Sequence, residues 1–339
     1  MKQTACTVVP PPHTIYIICI MAWARLCLSP PAYGQDAIHA QFMFDDLYVN
    51  PGLTGINDYH KFSAGVRDQW PELDHAFVSF CASYDQQIPD LHSGVGLQVF
   101  GEVDGGRYSR TSAGLFYSYR FNLSKRVVLS PGVQLSVAQR AIRTSGLTLP
   151  DDHPFSGGGA SELLYDRSSL FPDFGCGIAA NVTDRYSAGV AVHHLNRPVE
   201  TISEINGKRT PISLSVHFIS YFPIRYGKFD QNKWVVSPGF YFRRQQYQNI
   251  FSLGSNIAYD PVFVGVWSRS ASKIIPESII FLLGMEQNFF RLVYSYDSKL
   301  LYGNGNFSGT GAHELTLVWK IHPKKRMQTI KCSKYSFKI

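Results

Sequence analysis

The chain has 339 residues, 45% of them hydrophobic and 17% charged, with a formal net charge of +7. That apolar fraction and low charge exclude an intrinsically disordered protein. A mean hydropathy of -0.09, with no uninterrupted apolar run of about 18 residues, excludes a bundle of transmembrane helices.

In chain order, residues 1–34 come first. Lys2 precedes an apolar run over 14–24, and Ala32 and Gly34 place small residues at −3 and −1 relative to Gln35. Charge, apolar core and small-residue site are the layout of a secretory signal peptide, cleaved near Gly34/Gln35. Arg25 interrupts the late part of the run. Export puts the mature chain in an oxidising compartment, yet only Cys81, Cys176 and Cys332 lie beyond the cleavage site. An odd, widely spaced set implies no disulfide framework. Residues 35–59 carry no strand-like alternation. Pro51 biases Asn50 toward extended backbone, and Gly52 and Gly55 permit tight turns. This segment is either a periplasmic turn or a partial plug within the region that starts at residue 60.

From residue 60 onward the dominant signal is period-two alternation. Fourteen strands are predicted: 60–70, 75–85, 93–103, 108–121, 126–141, 172–182, 186–195, 211–222, 232–244, 247–257, 261–269, 278–287, 289–297 and 312–321. In 113–121 one face reads Ala113, Leu115, Tyr117, Tyr119, Phe121 and the other Gly114, Phe116, Ser118, Arg120. A soluble sandwich and a transmembrane barrel share this period. Three features favour the barrel. The strands run to about 9–14 residues, the spanning length, where soluble strands run nearer 5–6. Their number is even, and the long connections 142–171, 196–210 and 298–311 fall on one side while most turns on the other side are short, as in outer-membrane proteins. Trp70, Tyr84, Tyr119, Phe121, Trp234 and Trp319 sit at strand ends, where interfacial girdles form. The expected fold is therefore all-β: a single-chain antiparallel transmembrane β-barrel of the outer membrane over 60–321, apolar side out and polar side in.

Residues 322–339 form a basic tail with Lys324, Lys325 and Arg326 at its start and no acid. The 35–321 stretch holds 24 basic against 25 acidic side chains. The high isoelectric point thus belongs to the ends, and no nucleic-acid partner is implied.

Several short motifs recur in a fixed order. Gln41-Phe42-Met43-Phe44 leads to Asn50-Pro51-Gly52-Leu53-Thr54-Gly55, then Arg67-Asp68-Gln69-Trp70. Gly94-Val95-Gly96, Asp104-Gly105-Gly106 and Pro172-Asp173-Phe174-Gly175 come next. After them stand the stretch from Val192 to Pro198, the stretch from Val264 to Arg269, Tyr294-Ser295-Tyr296-Asp297, and Gly311-Ala312-His313-Glu314-Leu315. In this order over 35–321 the chain resembles the PorP/SprF family of type IX secretion outer-membrane proteins of Bacteroidota. It departs from the family's Asn-Pro at Asp45-Asp46, from Asn-Pro-Ala at Asn50-Pro51-Gly52, and in its basic tail. The resemblance implies a barrel without enzyme activity or cofactor. Its implied work is export or surface attachment of cargo, gliding adhesins among them, with partners in the periplasmic ring, the translocon and the cargo domains.

The residues singled out for cargo or partner contact are Gln41, Asn50, Pro51, Gly55, Arg67, Gln69 and Trp70, with Lys324, Lys325 and Arg326 in the tail. By alternation Arg67 and Gln69 face the lumen and Trp70 the outer girdle. An arginine facing lipid costs about 2–4 kcal/mol at the midplane, so Arg67, Arg120, Arg243 and Arg291 point inward whether or not they bind a partner. A lumenal network holding the barrel explains Arg67 as well as a cargo contact does. Ser215 and His217 share an inward face without a third orienting group. Asp151-Asp152-His153 lies in a long loop, and no catalytic signature is present. A general porin or small-molecule transporter is the alternative reading.

Overall fold

The computed structural model describes residues 36–72, 77–143, 167–183, 185–200, 208–224, 234–271, 276–300 and 311–323. The fold is that of the compact unit beginning at Ala37. Fourteen long strands carry it: β1 His60–Gln69, β2 Phe77–Ile88, β3 Ser93–Asp104, β4 Tyr108–Tyr119, β5 Val127–Ile142, β6 Arg167–Val182, β7 Tyr186–His193, β8 Ser213–Ser220, β9 Trp234–Gln245, β10 Gln248–Tyr259, β11 Val262–Ala271, β12 Ser278–Glu286, β13 Phe290–Lys299 and β14 Ala312–Ile321. Each pairs antiparallel with the next. β14 returns to β1 in unbroken register from His60↔Ile321 to Gln69↔Ala312, so the sheet is a closed barrel with no free edge. Short pieces extend it: Phe121–Asn122 pairs with β5 and Phe222–Ile224 with β9.

The barrel is turned inside out relative to a soluble protein. Phe62, Val66, Leu97, Leu115, Val133, Leu253, Val266, Leu283 and Leu317 are exposed, while Lys61, Arg67, Asp85, Arg120, Asp173, Arg243, Arg291 and Glu314 are buried. Only a wall with hydrocarbon outside and a polar interior makes that arrangement favourable. Aromatic rings collar the end that carries His60 and Ile321. Trp234 lies 4.7 Å from Tyr259, Phe289 5.8 Å from Trp319 and Tyr119 4.7 Å from Phe121 between ring centroids. Trp70 and Phe77 meet edge to face at 5.1 Å at the opposite end.

The interior departs from the simple expectation of a polar lumen. From β8 to β13 the inward positions include Ile219, Val235, Phe263, Trp267, Ile280, Leu282 and Val293, all buried. These side chains form one cluster with Phe42, Met43, Phe44, Val49 and Leu53 of the segment before β1. Apolar inward positions are concentrated in this half of the wall, beside buried polar ones such as Arg243, Asn256 and Asp297, because an amphipathic segment fills the lumen. That segment is a chain of tight turns: a 3-10 turn at Phe42–Phe44, a single helical turn α1 at Asp46–Val49, and a second 3-10 turn at Pro51–Leu53. Of the two readings of 35–59, the periplasmic turn does not describe it. Its residues from Ala40 to Phe44 and from Val49 to Gly55 are buried against the inward faces of the strands.

A plug seated in the barrel lumen as the candidate functional site

Local sequence sets the shape of the plug. The Asp45 side chain accepts from the Tyr48 amide and starts α1, an ordinary N-cap. Asn50 ends α1 and starts the next turn: its Oδ1 accepts from the Gly52 amide at 2.8 Å. Pro51 occupies the first position of that turn, where its missing N–H and fixed φ cost nothing. Gly55 closes the run with φ of +59°.

Polar groups fix this chain to the wall at three levels. Toward the end opposite the His60–Ile321 collar, the Ala40 and Gln41 amides donate to the Glu314 carboxylate at 2.7 and 3.1 Å. Gln41 Nε2 donates to Ser295 Oγ at 3.0 Å and to the Glu314 carbonyl at 2.8 Å. Glu314 is held by Arg67 at 3.1 Å, and Arg67 also meets Asp297 at 2.8 Å. Arg269 forms a second ion pair with Asp297. Arg67 therefore reaches the plug through a carboxylate rather than directly.

At mid-height Asn50 Nδ2 donates to the carbonyls of Ile178 on β6 and Val190 on β7, at 3.1 and 3.3 Å. Ser215 Oγ donates to the Val49 carbonyl at 3.2 Å, so the Ser215 hydroxyl is spent on the plug and not on His217. Nearer the collar, the Gly55 amide donates to Asp85 at 3.0 Å, Ser118 donates to the Thr54 carbonyl at 2.8 Å, and Arg120 donates to the Gly55 carbonyl. Lys61 meets Asp46 at 2.6 Å and the Phe44 carbonyl at 3.0 Å.

Close approach of plug and wall depends on glycine. A Cβ on Gly132 would fall 2.3 Å from the Pro51 carbonyl oxygen, and one on Gly177 2.1 Å from Asn50 Oδ1. Side chains there would fill the seat. The apolar cluster is packed by rings: Phe42 stacks on Tyr241 at 4.6 Å and meets Trp267 edge-on at 5.3 Å.

Of the residues singled out from sequence, Gln41, Asn50, Pro51, Gly55 and Arg67 are thus brought into one lumenal assembly. Gln69 stands at the end of β1, paired in register with Ala312 and Phe77. Trp70 is half-buried, and its amide donates to the Gly311 carbonyl at 2.9 Å. Lys324, Lys325, Arg326, residues 1–34 and Asp151-Asp152-His153 lie outside the described residues. Sequence reasoning gave no role to Glu314, Asp297, Asp85, Gly132 or Gly177. Their signal was their parity: an acid or a glycine at an inward position asks what faces it.

A family model described as "Type IX secretion system membrane protein PorP/SprF" matches residues 32–319. The chain belongs to the PorP/SprF family. The match takes in the plug and the strands from β1 into β14. No curated protein matches the chain in sequence. Among solved structures it is similar to the P. putida toluene transporter TodX, at 12% identity and a TM-score of 0.47, covering 80% of this chain and 92% of that one. It is similar too to the Ralstonia pickettii toluene transporter TbuX, at 11% identity and a TM-score of 0.46, covering 80% and 92%. A third, CdiB from Acinetobacter baumannii, stands at 10% identity and a TM-score of 0.36, covering 76% and 60%. The PorP/SprF chain is thus a β-barrel membrane component of type IX secretion.

Proposed function

We propose that this PorP/SprF protein serves type IX secretion at the outer membrane as a plugged, non-enzymatic barrel. It captures cargo domains or links the translocon to the periplasmic ring, and so assists export or surface attachment of cargo such as gliding adhesins. The observation that carries this reading is the filled lumen. Buried residues of the 37–59 segment bond to the wall at three levels, which suits a docking platform better than a conduit. A general porin needs an aqueous lumen, and here the plug occupies it.

In this reading the source is a member of the Bacteroidota and residues 1–34 are a signal peptide removed near Gly34/Gln35. The His60–Ile321 end faces the periplasm. Lys324, Lys325 and Arg326 lie just beyond it and contact an acidic periplasmic partner or anionic lipid head groups. Deletion of the gene, with quantitative proteomics of the medium and of the shaved cell surface, tests the reading. Specific cargo is expected to be lost from one or both fractions, and an unchanged secreted and surface proteome would sink it. Affinity capture from membranes names the partner. Truncation after Ile321 with capture intact would reject the tail contact.

A further inference from the structure

The seam between β14 and β1 carries a polar island on its outward face. Directly paired outward residues run in one row from β12 to β3: Phe281, Tyr296, His313, Asp68, Val78 and Val103. Phe281, Val78 and Val103 are exposed, as lipid-facing residues are. Between them stand an imidazole and a carboxylate. Trp70 and Phe77 mark the rim just beyond, so the row lies on the membrane side of that girdle.

The Tyr294 hydroxyl lies 2.7 Å from His313 Nδ1, and the Tyr296 ring 5.0 Å from the imidazole. With the hydroxyl donating to Nδ1, the neutral imidazole carries its proton on Nε2 and offers that N–H to a neighbour. His313 is exposed. The Asp68 side chain enters no hydrogen bond or ion pair among the described residues, and its Oδ1 is buried in that state. A charged group on the membrane face of a protein is costly unless something pairs with it. A donor and an acceptor thus stand side by side at one height, each unmet.

We propose that two copies of this chain pair in the membrane across the β1–β14 seam, Asp68 of each accepting from His313 of the other. Two copies inserted in the same direction are related by a two-fold axis along the membrane normal, which brings equal heights together. An acid beside a base at one height is complementary to itself under that axis. Each contact then implies the other. Val66 and Leu315, the outward pair next toward mid-membrane, are exposed and supply apolar surface around the polar contacts.

The test uses the full chain in lipid vesicles, with copies counted by single-molecule photobleaching over a range of protein-to-lipid ratios. The parent is expected to form dimers that dissociate on dilution. Asp68→His sets base against base, and His313→Asp sets acid against acid. Each is expected to raise the dimer dissociation constant about tenfold, the worth of two interfacial hydrogen bonds in a bilayer. Mixing the two variants restores an acid opposite a base at both contacts, so the mixed pair should form at parent strength. Heat-shifted gel migration checks that each variant folds. Asp68→Leu and His313→Phe, both suited to a lipid-facing site, replace any variant that fails to insert and should weaken pairing alike. A parent that is monomeric at every ratio would overturn the proposal. So would parent-strength pairing in both folded single variants, or a mixture that pairs no better than its components; the island would then face lipid head groups and water only.

Discussion

Replacing Glu314 by alanine tests the upper anchor of the plug. The wild-type carboxylate accepts two backbone amides, at 2.7 Å from Ala40 and 3.1 Å from Gln41, and the Arg67 guanidinium at 3.1 Å. A hydrogen bond to a charged group contributes about 1.5–3 kcal/mol. Arg67 keeps Asp297 after the substitution, so its share of the loss is small. The two amides together then set the cost of Glu314→Ala at about 3 kcal/mol, at the lower end because lumenal water satisfies part of what is lost. If that cost falls on local opening of the plug, the open population rises about a hundredfold. Hydrogen exchange at the amides of 40–44 reports it directly. Exchange there is expected to accelerate about a hundredfold in Glu314→Ala, while the strand amides of β3 to β6 stay protected. Glu314→Gln, which keeps one acceptor oxygen, falls between. The reasoning fails if residues 40–44 exchange at the wild-type rate in a folded Glu314→Ala variant, since the plug would then be held without this anchor.

Gly177→Ala drives a methyl onto Asn50 Oδ1 and Ala191 and is expected to cost about 1–3 kcal/mol in urea unfolding. Adding Asn50→Ala should recover part of that loss, because the clash is with Asn50, so additive costs would count against the seat. Gly55→Ala combines φ of +59° with a Cβ 2.3 Å from the Gln86 carbonyl oxygen and should lower stability by more than about 1 kcal/mol. In planar bilayers the intact protein is expected to give no steady wide conductance, and a variant lacking 37–55 to give a measurable one. Steady conductance from the intact protein would return the porin reading.

The strands were legible because membrane and lumen impose alternation on every residue of the wall. Predicted and observed bounds agree within two or three residues at most ends. The start of β6 differs most: alternation places it at 172, and the strand begins at Arg167. There Arg167, Ser168 and Ser169 precede Leu170 without a clear alternating face, and local hydropathy carries no signal for a wall that rises above its neighbours. The plug was not legible in the same way. Its turns come from Asp45, Asn50 and Pro51, which are local, but its place comes from contacts such as Gln41 to Glu314, 273 residues apart. Nor did alternation tell that the inward faces of β9 to β13 carry an apolar cluster among their polar residues. Val235, Tyr241, Phe263 and Trp267 read as the lesser face of strands whose other face is more apolar still. Only an occupant of the lumen gives those side chains something to bury against.

Arg67 and Glu314 face each other across the β1–β14 junction, the seam where the last strand closes the sheet on the first. The plug amides bond to that same Glu314. The upper anchor therefore does not exist until the barrel is closed, although the plug precedes every strand in the chain. Loop closure over some 270 residues is an entropic cost that must be met before these contacts form. Barrel closure and seating of the plug are consequently coupled through one carboxylate. A chain cut before Ala312 keeps every sequence element of the plug and thirteen strands, yet loses both the seam and Glu314. Its residues 40–44 should be cleaved by added protease at sites that the closed barrel protects. Protection of that segment in the truncated chain would separate plugging from closure and refute the coupling.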